Sequence, residues 1–195
     1  PLSEEHSVMR TLMLPGLLET LARNYSRRVQ NGAIFELGCV YYPQPEGGLP
    51  EERQVLAAAA MGTAEAGWNS PARKFDFFYL KGVLENLFSY LRTEKVSFHP
   101  ETDNPSFHPG RTAWLEVGGK RLGVLGELHP DVVENFELPE HVVAFELDLE
   151  LLLTVSGRPP VYTPLPKFPV VERDLAILVK QDIPAVEVTD AIWAA

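Results

Sequence analysis

The chain has 195 residues, 45% of them hydrophobic, and its 27 acidic and 17 basic side chains give a net charge of −10. This length and apolar content exclude a disordered chain and allow one good-sized domain plus part of a second. No apolar run approaches the roughly 20 residues of a membrane span, so no membrane partner is expected. The single cysteine, Cys39, excludes an internal disulfide framework and suits a cytoplasmic location, and the acidic surface repels polyphosphates at long range.

The first predicted element is an amphipathic helix over residues 14–28. Its apolar residues recur at spacings of three and four, at Leu14, Leu17, Leu18, Leu21, Tyr25 and Val29. Pro15 suits the first helical position, where its missing N–H costs nothing, and Asn31-Gly32 predicts a left-handed stop. Alternating side chains over residues 33–42 then predict a strand.

A second strand and a second helix follow the Pro- and Gly-rich loop at 43–50. The Ala run in residues 55–62 favours helix by propensity, but the short segment length favours a buried strand, which is the prediction. Residues 75–92 predict a helix with Asp76 as its N-cap. Further on, His108-Pro109-Gly110-Arg111 predicts a tight turn in which Gly110 has a positive φ and Arg111 reaches a carbonyl or carboxylate.

The remaining elements predict an α+β fold on a largely antiparallel sheet. Residues 113–117 and 120–126 form a predicted hairpin joined by Gly118-Gly119, His129 opens a short helix, and residues 142–149 predict another strand. Five prolines within 154–169 indicate a semi-rigid linker, after which 175–179 predict a strand and Pro184 begins a helix. Because the chain begins at Pro1 without an initiator Met and stops within a helical pattern, we expect a piece of a longer protein.

The residue types that carry chemistry do not converge in this sequence. The five histidines are scattered along the chain, at His6, His99, His108, His129 and His141. Three of them stand directly before a proline. Cys39 lies within a strand pattern typical of a small core residue, and Glu134, Glu137 and Glu140 read as a solvated face. The sequence therefore predicts no catalytic, cofactor-binding or metal-binding residue.

An ordered set of short motifs carries a family resemblance. The patches are Ser7-Val8-Met9-Arg10, Leu14-Pro15-Gly16-Leu17-Leu18, Phe35-Glu36-Leu37-Gly38, Lys81-Gly82, His108-Pro109-Gly110-Arg111, Leu125-Gly126-Glu127-Leu128-His129-Pro130, Lys167-Phe168-Pro169 and Arg173-Asp174-Leu175-Ala176. In this order they resemble the β subunit of bacterial phenylalanine–tRNA ligases. The resemblance implies a class II synthetase-like, inactive module over 1–153, a linker over 154–169 and the truncated start of a ferredoxin-like anticodon-binding domain over 170–195.

The resemblance also implies a function for the whole assembly. In this family two α and two β subunits form a heterotetramer in which the α subunit uses ATP and magnesium to charge tRNA(Phe). The β subunit contributes assembly and tRNA contacts, so this chain is expected to hold no cofactor and to have no activity of its own. Two alternatives stay open: an autonomous class II ligase or adenylating enzyme on the same fold, and an unrelated interaction module.

The resemblance further implies that this chain lacks the arginines with which active class II enzymes bind the triphosphate of ATP. Phe35-Glu36 places an acid where one phosphate-binding Arg is expected. The motif Gly-x-Gly-x-x-Arg is matched by Glu146-Leu147-Asp148-Leu149-Glu150-Leu151, which lacks both glycines and the Arg. A class II site that lacks these guanidinium groups lacks the fixed positive charges that hold its triphosphate, so no ATP site is expected.

Several residues are instead candidates for subunit or tRNA contacts. They are Arg10, Leu14, Leu17, Leu21, Arg111, Lys167 and Arg173. The leucines pack either into their own core or partly against the α subunit, which would leave an exposed apolar patch. Arg10 either anchors the segment before the helix through a carboxylate or is solvated.

Overall fold

The computed structural model describes residues 7–45, 47–139, 141–162, 164–169, 171–181 and 183–194. Pro1, His6 and Glu140, considered above, lie outside the described residues, as do the two ends of the predicted ferredoxin-like segment, Val170 and Ala195. The chain divides into two compact units, Pro1–Pro159 and Pro160–Ala195, and each is described by itself.

The first unit is built on one large antiparallel sheet. Its elements are α1 (Leu14–Ser26), β1 (Gly32–Tyr42), β2 (Glu51–Met61), β3 (Thr63–Ala64), β4 (Arg73–Lys74), α2 (Phe77–Leu91), β5 (Val96–Pro100), β6 (Phe107–Val117), β7 (Lys120–Leu128), α3 (Pro130–Asn135), β8 (Val142–Asp148) and α4 (Leu149–Thr154). Six strands pair in the order β1-β2-β8-β7-β6-β5, and β3 and β4 pair separately. This arrangement confirms the predicted antiparallel sheet with flanking helices.

The two faces of the sheet carry separate hydrophobic cores. Because side chains of a strand alternate between faces, every second residue of β2 and β8 belongs to the same core. The face covered by α1, here called the α1 face, buries Leu21, Ala57 and Ala144 together. The opposite face, here called the α2 face, packs α2 and α4 against residues such as Phe145 and Leu125.

Helix α1 begins as predicted and ends differently. Pro15 lies in its first turn, where no N–H is needed. The left-handed residue that follows the helix is Arg28, with φ 68°, whereas Gly32 is already paired with Met61 in the sheet. The prediction of a stop at Asn31-Gly32 was wrong because the N–H groups of Arg27 and Arg28 close the last turn earlier, on the carbonyls of Asn24 and Tyr25.

The Ala-rich segment is a strand, as predicted against its helix propensity. Residues 57–60 pair with β1 on one side and with β8 on the other, so every backbone group finds a partner in the sheet. The four alanines are buried, with exposures of 0–8%. Tertiary pairing therefore decides the conformation where local propensity points elsewhere.

The segment from His108 to Arg111 is not the tight turn that was predicted. It lies inside β6, where the register against β7 shifts between Phe107 and Thr112 as at a bulge. Gly110 has no positive φ; its N–H instead donates to Nδ1 of His108 at 3.0 Å. The expected Arg111 contact with a carboxylate is confirmed, since its guanidinium pairs with Glu127 at 2.8 Å.

Three further local predictions are confirmed. Asp76 caps α2 by accepting the N–H of Tyr79 at 2.7 Å. Gly118 and Gly119 have φ of 56° and 76°, the paired positive values of a tight primed hairpin turn. His129 precedes α3 and accepts the N–H of Asp131 through its ring.

The second unit contains one helix, α5 (Ala185–Ala194), among its described residues. The strand predicted over 175–179 is not formed there, because a strand needs a hydrogen-bonding partner and the described part of this unit offers none. Its apolar side chains are correspondingly exposed, for example Leu178 and Trp193. Across both units, no helix within the described ranges is long and apolar enough to cross a membrane.

Candidate functional site

A pocket of about 410 Å³ opens on the α1 face of the main sheet. Strands β1, β2, β7 and β8 form its floor and sides, and Leu12, before α1, and Phe107, at the start of β6, close it. Four charged residues line it: Arg53, Arg121, Glu146 and Asp148. A concave site of this size with a few charged groups is a candidate for binding a small molecule.

The pocket floor carries two carboxylates from β8. Glu146 and Asp148 are two residues apart and therefore point to the same face. Oε2 of Glu146 accepts the N–H groups of Met13 at 3.1 Å and Leu14 at 3.4 Å. Burial raises the pKa of Glu146, against the lowering effect of these two hydrogen bonds and of the Arg10 charge. Asp148 accepts the N–H of Leu151 at 2.8 Å and so caps α4.

Two guanidinium groups at the pocket are already paired with carboxylates. Nε of Arg53 donates to Glu51 at 2.7 Å, and this hydrogen bond is the main reason why the pKa of Glu51 is lowered. Nη2 of Arg121 donates to Glu101 at 2.6 Å. The pKa of Glu101 is lowered first by the N–H of Asp103 and then by Arg121.

Sequence reasoning missed Arg53 and Arg121 as pocket residues. Arg53 lies two residues before Val55 on the same face of β2, but the predicted strand began at residue 55. Arg121 belongs to the predicted hairpin, whose face toward the pocket was not considered. Extending the predicted strand at residues 55–62 toward its N-terminus, and following the alternation of side chains along it and along the hairpin, would have pointed to both residues.

Acidic residues line this pocket, but Glu36, the acid singled out in the sequence, is not one of them. Glu36 pairs with Arg10 at 2.8 Å, and its place as the acid beside a phosphate stays a prediction. Glu146 and Asp148, which stand where the two glycines were expected, do line the pocket. Leu151 packs with the core of the α2 face and not in the pocket. With both guanidiniums paired, the pocket presents an excess of negative charge.

Arg10 anchors the segment that precedes α1. Besides its ion pair with Glu36, its Nε donates to the carbonyl of Cys39 at 2.9 Å, and its own carbonyl accepts the N–H of Tyr41 at 2.9 Å. Gly38 makes this possible, since a Cβ there would lie 2.4 Å from Nη2 of Arg10. Of the two alternatives for Arg10, the structure supports the anchor.

The candidate leucines of α1 are buried in the core of this chain. Leu14, Leu17 and Leu21 are exposed by 5%, 4% and 0%, which favours the first of their two alternatives. Exposed apolar surface lies instead on the edge strand β1, on the α2 face, where Phe35 and Leu37 are exposed by 71% and 57%. These two residues are called the edge patch below.

The other candidate contact residues are dispersed. Arg111 shares Glu127 with His141, whose Nδ1 lies 2.8 Å from the same carboxylate. Lys167 and Arg173 belong to the second unit and are exposed there. Among the described residues, no group of three or more His, Cys, Asp or Glu side chains is placed to hold a metal ion.

Comparison with known proteins places the chain in a specific group. Residues 1–149 match the family model described as the phenylalanyl tRNA synthetase beta chain CLM domain. The phenylalanine–tRNA ligase beta subunit of Moorella thermoacetica is 50% identical over 192 residues, which cover 98% of this chain and 24% of that protein. The corresponding subunit of Clostridium acetobutylicum is 44% identical over 193 residues, covering 98% of this chain and 23% of that protein. This chain thus spans about a quarter of the length of these relatives.

A solved structure shows the same fold at low identity. The pyrrolysyl-tRNA synthetase of Desulfitobacterium hafniense matches with a TM-score of 0.55 and 19% identity, over 75% of this chain and 49% of that one. This level of identity bears on the fold alone. It confirms the expected synthetase-like architecture of the antiparallel sheet and its flanking helices.

Proposed function

This chain belongs to the family of phenylalanyl-tRNA synthetase beta chains, and on that premise we propose that it is a non-catalytic module that supports assembly with an α subunit and positions tRNA(Phe). The family resemblance drawn from the sequence is thereby confirmed. The whole enzyme, in this proposal, is a cytoplasmic ligase whose α subunit uses ATP and magnesium. In the same proposal, this chain itself holds no cofactor.

One observation carries the non-catalytic role: both guanidinium groups of the pocket are paired, and its floor is acidic. A triphosphate is stabilised in a site by unpaired cations and by close backbone approach. Here Glu51 and Glu101 hold Arg53 and Arg121, and the side chains of Glu146 and Asp148 fill positions where glycine would allow that approach. A polyphosphate entering this pocket would meet carboxylates first.

ATP–pyrophosphate exchange dependent on phenylalanine tests the proposal against an autonomous ligase. We expect no exchange above background with this chain alone and exchange with the α subunit present in the complete enzyme. Exchange catalysed by the isolated chain would favour the alternative of an adenylating enzyme on the same fold.

The proposed docking surface for the α subunit is the edge patch with the outer edge of β1. Phe35 and Leu37 are large apolar side chains on a strand that ends the sheet, and exposed apolar side chains of this kind mark interaction sites. Helix α1 packs against the other face of β1, so it supports this surface without being part of it. The buried leucines therefore act on assembly only through the position of β1.

Replacing Phe35 and Leu37 together by Glu is expected to weaken α-subunit binding by about 100-fold, since central apolar residues of an interface contribute about 2–4 kcal/mol. Stability should change little because both side chains are exposed. Phe78→Glu on α2 is the matched control, with a phenylalanine exposed by 76%. Equal binding by the double variant and the control would contradict this docking surface.

The second unit is proposed to be the beginning of a ferredoxin-like anticodon-binding domain. The exposed apolar residues of 175–179 and of α5 would be covered by the remaining elements of that domain. Lys167 and Arg173 are the basic residues proposed to contact tRNA, whereas Arg111, which is already paired with Glu127, is proposed to have a structural role. Alanine substitution of Lys167 or Arg173 is expected to reduce tRNA affinity. It should also lower the slope of log affinity against log salt concentration by about one, the value for one lost phosphate contact.

A further inference from the structure

Helix α1 begins without a cap from its own sequence. The N-cap residue is Met13, whose side chain makes no capping hydrogen bond, and the first turn reads Leu-Pro-Gly-Leu. The Leu, Pro and Gly residues of this turn carry no side-chain acceptor, although the first N–H groups of every helix need one. Pro15 has no N–H, which leaves the donors of Met13, Leu14 and Gly16 without a partner inside the helix.

The acceptor for the first two of these N–H groups comes from a residue that is distant in sequence. Oε2 of Glu146, on β8, accepts the N–H groups of both Met13 and Leu14, 133 and 132 residues away in sequence. A carboxylate also suits the positive end of the helix dipole. Burial raises the pKa of Glu146, as expected for a carboxylate that is largely removed from water. A carboxylate in this environment that makes two specific hydrogen bonds is a candidate for a positioning role.

The start of α1 is connected to the proposed docking strand by a short path. Three residues before Met13, Arg10 bonds the side chain of Glu36, the carbonyl of Cys39 and the N–H of Tyr41, all on β1. The segment from Arg10 to Leu14 is thus tied to β1 at one end and to β8, through Glu146, at the other. A displacement of α1 at its first turn would be transmitted to β1 through these bonds.

We propose that Glu146 is a positioning residue that fixes the start of α1 on the sheet and, through the Arg10 segment, holds β1 in the conformation that the α subunit binds. The second half of this inference rests on the proposed function. The acidic floor of the pocket thereby serves as an anchor for the assembly surface.

Hydrogen exchange of the Met13 and Leu14 amides tests the anchoring directly. In the unaltered chain both amides should be protected. Glu146→Ala should increase their exchange by about tenfold or more, while Glu146→Gln, which keeps an acceptor oxygen at the same place, should retain protection. Glu134→Ala, on the exposed surface of α3, is the control and should change nothing. Unchanged protection in Glu146→Ala would overturn the proposal.

A second variant allows the same test if Glu146→Ala does not fold. Glu146→Asp retains the charge but withdraws the carboxylate by one methylene from the two amides, so it should lose protection like the alanine variant. Loss in Asp together with retention in Gln would show that acceptor position matters, and not charge. Retention in Asp with loss in Gln would contradict the positioning role.

Affinity for the α subunit tests the coupling. Glu146→Ala should weaken binding by about tenfold, with rescue by Gln, in parallel with amide protection. If the unaltered chain does not bind the α subunit at all, the proposed function fails although the anchoring result can stand. If the unaltered chain binds and Glu146→Ala loses amide protection without losing affinity, the coupling is overturned and the proposed function survives.

Discussion

Gly123 shows how closely strands β7 and β8 approach beneath the pocket. A Cβ at this position would lie 2.1 Å from the carbonyl oxygen of Glu146, which is backbone held between two paired strands and cannot move aside. We expect Gly123→Ala to lower the free energy of unfolding by about 1–3 kcal/mol in urea titrations. Gly82→Ala is the control: apart from its own helix backbone and its chain neighbours, a Cβ there would meet no heavy atom within 4 Å, and a gain of about 0.5–1 kcal/mol is expected in the helix. Equal changes in both variants would contradict this account.

Glu127 and Glu146 are expected to shift stability in opposite directions with pH. Burial raises the pKa of Glu127, but the contacts with His141 and Arg111 outweigh it, and the pKa is lowered overall. A lowered pKa gives stability that is present above the ordinary value and lost as pH falls through the folded value. The raised pKa of Glu146 gives stability that is present below the ordinary value and lost as pH rises through the folded value.

Urea midpoints between pH 7 and pH 4 measure this contrast. Glu127→Gln should be less stable than the unaltered chain by roughly 1 kcal/mol at pH 7, and the difference should shrink as pH falls below the ordinary value of 4.5. Glu146→Gln should compare more favourably with the unaltered chain at pH 7 than at pH 4. Differences that change in the same direction with pH for both variants would contradict the assigned environments.

At the scale of elements, α1 acts as a core helix and not as an exposed interface helix. Leu21 is fully buried among β1 and β2 residues, so Leu21→Ala is expected to cost about 2–5 kcal/mol of unfolding free energy. Leu153→Ala is the control, since this leucine of α4 is exposed by 58% and should change stability by less than about 0.5 kcal/mol. If Leu21→Ala kept full stability and lost only α-subunit binding, the interface alternative for the leucines would be right.

The elements also show which parts of the fold can be predicted from the sequence and which cannot. Periodicity, Asp76 and Gly118-Gly119 located α2 and the β6–β7 hairpin because their determinants are local. The bulge near Gly110 and the left-handed Arg28 were not foreseen, since both depend on hydrogen bonds and pairing that the local pattern does not encode. The strand expected at 175–179 failed for the same reason: its pairing partner is not local.

For the whole molecule, the division near residue 159 predicts that the first unit is stable without the second. Unit Pro1–Pro159 contains both hydrophobic cores, so a chain truncated after Pro159 should fold with an unfolding free energy within about 0.5 kcal/mol of the full chain. Limited proteolysis should cut first within the described residues of 160–169, which are exposed. A truncated chain that does not fold would contradict the independence of the first unit.

The candidate site was only partly predictable from the sequence. The loss of the glycine motif at Glu146 and Asp148 could be read directly, and both residues do line the pocket. Arg53 and Arg121 could not be assigned without the sheet register, and neither could their neutralisation by Glu51 and Glu101. The distribution of charge in the pocket follows from pairing across strands, which short motifs do not contain.

Calorimetric titration of this chain with magnesium–ATP tests most directly whether the paired guanidiniums and acidic floor leave the pocket without nucleotide affinity. We predict no saturable heat at nucleotide concentrations up to about 1 mM, which places any binding free energy weaker than about −4 kcal/mol. A saturable isotherm that is abolished by replacing Arg53 and Arg121 with Ala would contradict the account, because it would show that these guanidiniums leave their glutamates to hold a triphosphate.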